Sequence, residues 1–342
     1  MEAPAGVEKS LALKKILSPI LPGLSQVELK LKALGDESNG ILKDSAHYVL
    51  DGEGKRLRAA LVLFCASIEH DSNKNLSSSV RKDKVERVME MAAAVELIHA
   101  ATLVHDDIVD GSILRRLKPT VNIKFGDEVA VLLGDFLYSK AFKMIAEVGD
   151  ETLTCEMART TQGMCEGEID QLKNRYKPNL TMEEYFSFIE RKTASLIASS
   201  AFAGARLAPL PLKEQMALQK FALNVGISYQ IIDDLLDVIG SESKLGKTLR
   251  TDTGNGKMTL PMILLFKRMQ DSEKQKFIEG FATVHMDWEF IQTLLERHKI
   301  VELTKSYADN YFVGAVESLN GIPSAARESL LNLSQFILNR DY

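Results

Sequence analysis

The chain has 342 residues, enough for one large domain or two of ordinary size, and 45% of them are hydrophobic against 26% charged, so it can bury a large core. A net charge of −5 lacks the basic excess expected of a general nucleic-acid binder, so no nucleic-acid partner is expected. Cys65, Cys155 and Cys165 have no metal-ligand spacing and read as reduced thiols of an intracellular protein.

"MEAPAGVEKS" has an acidic second residue and no apolar run, so no secretory signal is expected. The location is then the cytoplasm, or an organelle if a transit peptide was removed. "GEGKRLR", Gly52–Arg58, sets Lys55, Arg56 and Arg58 just before the apolar run "AALVLFCASI". Cations at a helix start oppose the helix dipole, and the plain reading is a solubilising turn; the functional one is an anion site at the positive helix end. The polar stretch 69–84 reads as a loop. "RVMEMAAAVELIHAATLVHDD" is dense in strong helix formers. The stretch 111–128 reads as a second loop.

"TMEEYFSFIERKTASLIASSAFAGA" opens on Thr181 with Glu184 three residues later, a capping-box signature, and predicts one helix over 181–205. Its uncharged part, 193–205, is rich in Ala and Ser and reads as a buried helix; no apolar stretch reads as long enough to span a bilayer. The stretch 240–257 is a third loop, with three lysines and one arginine among Gly, Ser and Thr. "LTKSYADNYFVGAVESL" and "AARESLLNLSQFILNR" predict the last helices. No strand alternation and no linker composition stand out, so the expectation is a single all-α domain over 1–342.

The chemistry lies in a recurrence. "LVHDDIVD" places Asp106, Asp107 and Asp110 at the end of an apolar helix; "YQIIDDLLD" repeats the spacing with Asp233, Asp234 and Asp237. The first and last Asp of each set lie one helical turn apart, about 6 Å between Cα atoms. One such cluster reads most simply as a solvated helix end. Two copies with cations behind them (Arg115 and Arg116; Lys244, Lys247 and Lys257) fit two walls of a Mg²⁺–diphosphate site. His99 is seven residues before Asp106, about 20° off the same stripe, and can face the same side. His105 points about 100° away from Asp106 and is given a structural role.

These motifs, with "RRLKPT", "GDFLYSKAF", "ERKTASL" and "GKMTLP" in order over about 52–265, resemble the trans-isoprenyl diphosphate (polyprenyl) synthase family. The resemblance implies an all-α isoprenoid-synthase bundle around a deep central cavity, usually a homodimer. It implies a trans-prenyltransferase that condenses isopentenyl diphosphate head-to-tail (1′-4) with allylic diphosphates. Lys55, Arg58, His99 and Arg116 would bind isopentenyl diphosphate. Asp106, Asp110 and Asp233 would ligate Mg²⁺, up to three ions, supported by Asp107, Asp234 and Asp237. Arg115, Lys192, Thr193, Gln230, Lys247 and Lys257 would hold the allylic diphosphate, with Lys192 counted among the catalytic groups.

Family members stop chain growth with bulky residues four or five positions before the first motif; here these are Thr102 and Ala101, both small, so a long product is expected. Small residues there also allow plain close helix packing. A long product raises the prospect of peripheral membrane contact. Two departures bear on loop shape: Ala59 where the family has Pro, and Leu117–Lys118 where it has Gly. The alternatives are a short-chain geranylgeranyl, geranyl or farnesyl diphosphate synthase, a class I terpene cyclase, a metal-dependent phosphohydrolase built on "HDD", and a catalytically silent partner subunit. "DDLLD" with "GEGKRLR" argues against the cyclase. The phosphohydrolase needs metal-binding histidines, and His47, His70, His285 and His298 have no supporting context. Two intact acid motifs argue against the silent subunit.

Overall fold

The computed structural model describes residues 12–51, 54–68, 78–240, 250–283 and 285–338. They fold almost entirely as helices, in two compact units. The first gathers the described residues up to Arg159 with Leu196–Lys220 and Ser318–Ile337; the second gathers Thr160–Ser195 and Phe221–Glu317.

The first unit begins with α1 (Leu21–Asp36), α2 (Gly40–Leu50), α3 (Leu57–Ala66) and the long α4 (Ser78–Val109). A two-stranded hairpin follows, β1 (Leu114–Arg115) against β2 (Lys118–Pro119), then α5 (Val121–Phe125) and α6 (Asp127–Val148). α4 lies along α6 and packs against α3 and α1. Its middle, from Met91 to Ile98, is buried on every face, as are Leu133, Leu137, Ala141 and Ile145 of α6. That all-round burial accounts for a stretch, 82–109, apolar and long enough by composition to cross a bilayer; its most apolar part is largely packed inside the unit, as the core helix of a folded domain is. The reading that no apolar stretch is long enough to span a bilayer is corrected on length alone: this one is long enough, and its apolar part is packed as a core helix.

Three helices supply the rest of the framework. α7 (Glu151–Lys173) and α10 (Leu212–Ile239) each contribute residues to both units, and α9 (Ser195–Leu207) lies in the first apart from Ser195. The second unit also holds α8 (Met182–Ile189), the π-helical turn Glu190–Ala194, and the short α11 (Thr251–Gly254). It continues with α12 (Leu260–Arg268), α13 (Asp271–Thr283), α14 (Trp288–Arg297) and α15 (Ile300–Ser318). Its core joins Tyr185, Phe188 and Ile231 to Met262, Phe277, Phe281 and Leu294. The last helix, α16 (Ser324–Leu338), belongs to the first unit apart from Leu338.

Thr181 caps α8 in a complete capping box: its hydroxyl accepts from Glu184 N at 3.1 Å while Thr181 N donates to the Glu184 carboxylate at 2.8 Å. Three expectations change. Of the polar stretch 69–84, residues 69–77 lie outside the described residues, and 78–84 are the first turns of α4, not a loop, because they are continuous with a buried helical stretch; further along, Glu86 and Glu90 are held by Lys30 of α1. The stretch 111–128 is not a plain loop but hairpin plus helix; Arg116 and Leu117 at its tip both have positive φ, 52° and 63°, as a mirror-image two-residue turn requires. Of 240–257, residues 241–249 lie outside the described residues, and the rest includes α11.

Candidate functional site

The first aspartate motif spans the last turn of α4 and the residue just after it. Asp107 is 3% exposed and accepts a fork from Arg115, with Nε at 2.8 and 3.1 Å and Nη2 at 2.8 Å. The hairpin delivers that arginine. It is tied at its base by Thr120 Oγ1 donating to Ser112 O, and to α2 by Tyr48 Oη donating to Pro119 O. Asp106, on α4, and Asp110, just past its end, lie one turn apart, are half-buried and keep access to solvent. Hard carboxylate oxygens so placed suit Mg²⁺ or Ca²⁺, which complete their shells with water and phosphate. Among the described residues no three His, Cys, Asp or Glu side chains close a metal site by themselves.

His99 sits two turns earlier on α4. Burial first, then the guanidiniums of Arg58, Arg115, Arg116 and Arg56, hold its imidazole well below the usual histidine pKa. It is therefore neutral at pH 7 and can donate one N–H without adding charge. A Cβ built on Gly54 would lie 3.5 Å from Arg56 Nη1 and 3.6 Å from Arg116 Nη1, so the start of α3 and the hairpin are close. Arg56 is spent internally. It donates to Glu28 at 2.7 and 3.2 Å and to Leu50 O at 2.7 Å, so the three-cation reading of "GEGKRLR" reduces to Lys55, which is exposed, and Arg58. His105 has the structural role expected of it: Nε2 donates to Val131 O at 3.1 Å, and Gly134 makes room, since a Cβ there would be 2.1 Å from that nitrogen. Ala101 is fully buried, and Thr102 donates to His99 O at 2.8 Å.

In the second unit the second motif ends α10. Asp233 is half-buried, whereas Asp234 and Asp237 are buried and engaged. Tyr185 Oη donates to Asp234 Oδ2 and Gln230 Nε2 to Asp234 Oδ1, both at 2.7 Å. Burial and the Asp252 charge raise the Asp234 pKa well above the carboxylate range. Asp237 accepts from Thr251 Oγ1 and Asp252 N, each at 3.3 Å. Lys192 and Thr193 ride on the π-turn, an insertion often found at functional sites. Lys192 pairs with Glu168 and reaches Gln171 at 3.2 Å. Lys257 is buried, 3.8 Å from Asp252. A cleft, partly open to solvent, is lined by Lys192, Thr193, Gln230, Asp234, Asp252 and Lys257 among others.

The structure thus brings Arg58, His99, Arg115 and Arg116 together in one unit and Lys192, Thr193, Gln230 and Lys257 in the other. Lys247 lies outside the described residues. Residues missed from sequence are the partners: Glu28 and Glu96 for Arg56, Glu168 for Lys192, Tyr185 for Asp234, and Asp252. Only Glu96 had a local signal, one turn before His99 on the same helix.

Residues 39–295 match the polyprenyl synthetase family. The chain is 33% identical to heptaprenyl diphosphate synthase component 2 of Geobacillus stearothermophilus, over 96% of this chain and 99% of that one. It is 34% identical to a short chain isoprenyl diphosphate synthase of Methanocaldococcus jannaschii, over 93% and 95%. Its fold superposes with a TM-score of 0.85 on a polyprenyl synthase from Caulobacter crescentus complexed with calcium and isoprenyl diphosphate, at 29% identity over 96% and 98% of the two chains. With the paired aspartate motifs standing inside the matched region of an all-α chain, this protein belongs to the polyprenyl synthetase family of prenyl diphosphate synthases.

Proposed function

We propose that the chain catalyses Mg²⁺-dependent head-to-tail condensation of isopentenyl diphosphate with allylic diphosphates, giving a long all-trans polyprenyl diphosphate. The observation that carries this is the pattern of accessibility in the two motifs. Asp106, Asp110 and Asp233 are reachable, while Asp107, Asp234 and Asp237 are buried against partners. The reachable set would hold the Mg²⁺ ions, up to three of them, and the buried set fixes the helix ends that carry it. Mg²⁺, when bound, neutralises charge on the departing pyrophosphate.

Lys192, Thr193 and Lys257 hold the allylic diphosphate and Gln230 acts through Asp234; Arg115 is assigned to the same diphosphate on the family resemblance. Preorganised cations of this kind favour the leaving group as the allylic C–O bond breaks. Lys55, Arg58 and Arg116 bind isopentenyl diphosphate, and neutral His99 donates a hydrogen bond to it. The isopentenyl double bond attacks the allylic carbon, and the proton then leaves with pyrophosphate. No protein nucleophile is needed. The small Ala101 and Thr102 leave space for a growing chain, and we take the protein to act as one functional domain and as a homodimer.

A shorter product is the second reading, favoured by the likeness to a relative named as short chain. The test is incubation of the pure protein with Mg²⁺, isopentenyl diphosphate and a series of allylic primers, followed by chromatographic sizing. Products beyond about twenty carbons support the long-chain reading, shorter ones the second, and no condensation with any primer rejects both.

A further inference from the structure

The amide of Ala59 donates to Glu96 Oε1 at 3.0 Å, and Glu96, on α4, is only 5% exposed. Its other oxygen lies 3.8 Å from Arg56 Nη1. We propose that Glu96 is a positioning residue for the isopentenyl diphosphate site: it fixes the first turn of α3 and so the directions of Lys55 and Arg58. The inference rests on the assignment of that diphosphate to Lys55, Arg58 and His99.

Ala59 is the third residue of α3, and its N–H is one of those a helix cannot satisfy internally. A carboxylate is a favourable acceptor at that end. A buried carboxylate is costly without a cation, and Arg56 supplies one. Arg56 itself sits in the left-handed region, with φ 46°. A non-glycine residue holds that conformation only where its surroundings over-determine it. Here Glu28 and Leu50 O accept hydrogen bonds from the guanidinium, and Glu96 pairs with it at 3.8 Å. This turn sends the neighbouring Lys55 to the surface and starts the helix that carries Arg58. Glu96 is three residues before His99, so one face of α4 holds both the frame of the anion site and one of its donors. The alanine at 59 takes part: proline there would have no N–H, and Glu96 would lose this donor.

The experiment compares wild type with Glu96→Ala, Glu96→Gln and Ala59→Pro in steady-state assays, varying isopentenyl and farnesyl diphosphate separately, with thermal denaturation alongside. Glu96→Ala should raise KM for isopentenyl diphosphate about tenfold and leave the farnesyl KM and the saturated turnover within about twofold. Glu96→Gln should fall between, since its amide oxygen still accepts from Ala59 but cannot balance Arg56. Ala59→Pro removes the donor and also constrains the backbone at Arg58, so it should shift the same KM in the same direction. If Glu96→Ala does not fold, Glu96→Gln and Ala59→Pro decide. An unchanged isopentenyl KM in the folded variants, or an equal rise in both KM values, overturns the inference. A wild type that consumes no isopentenyl diphosphate overturns the proposed function itself, and this inference with it.

Discussion

Asp106 and Asp107 are neighbours in sequence with opposite environments. Asp107 is sealed against Arg115; Asp106 is half-buried and reachable. Asp106→Ala and Asp233→Ala should each cut turnover by roughly a hundredfold or more. Neither should lower thermal stability, because removing one carboxylate relieves like-charge repulsion in its cluster. Asp107→Ala should instead cost stability, about 1 kcal/mol, since Arg115 loses its fork and has only partial solvent to replace it. Assays paired with melting curves separate the two classes, and equal melting losses would remove the distinction. The D-D-x-x-D spacing marked the motifs, yet it is identical in both copies and could not show which aspartates are reachable. That is decided by Arg115, Tyr185 and Thr251, far from the motifs in sequence or across a turn. His99 carries a further expectation. Its folded pKa is depressed, so the unfolded chain takes up a proton below about pH 6.5 that the native chain refuses. This contribution to stability is complete above that pH and is lost as pH falls. Between pH 7 and 5 the melting temperature should drop, and His99→Gln should show a shallower drop; an equal slope in both would mean His99 is not held neutral.

At the scale of elements, the helices came through the sequence well because caps and periodicity are local signals. Thr181 and Glu184 form the box that their spacing predicts. The predicted single helix over 181–205 hides the π-turn at Glu190–Ala194, since one extra residue in a turn does not alter a pattern read from composition. The hairpin was hidden for a different reason. Its turn uses Arg116 and Leu117 at positive φ, where asparagine or glycine would have been the readable signal. The π-turn also has a packing partner. A Cβ on Gly167 of α7 would lie 3.1 Å from Arg191 Cβ and 3.2 Å from Lys192 N. Gly167→Ala should therefore push the turn by a few tenths of an ångström and misplace Lys192. Alanine also favours the helix by about 1 kcal/mol, so stability should stay near wild type while turnover falls roughly tenfold. Circular dichroism melts and initial rates check this; full activity in the variant would show that the turn moves freely.

For the molecule as a whole, the all-α class was legible, but the two compact units were not, because their boundaries in α7 and α10 fall inside continuous helices with no shift in composition. Product length was not legible either: relatives of nearly equal identity are named heptaprenyl and short chain. The length of a polyprenyl chain depends on free space away from the diphosphate, a property of packing between helices. Ala101 tests whether that space runs beside α4. It is five residues before Asp106, about 7.5 Å back along the helix axis, and fully buried. If the growing chain passes it, the ring of Ala101→Phe becomes a wall: the first condensation proceeds, and the product spectrum shifts to shorter chains. If Ala101 is only a close helix contact, the ring overpacks the core, lowering stability by about 1–3 kcal/mol without shortening the product. Product sizing together with thermal melts distinguishes the outcomes. A folded, active variant with wild-type product length would place the path of the chain elsewhere and leave the smallness of Ala101 to the packing of α4 alone.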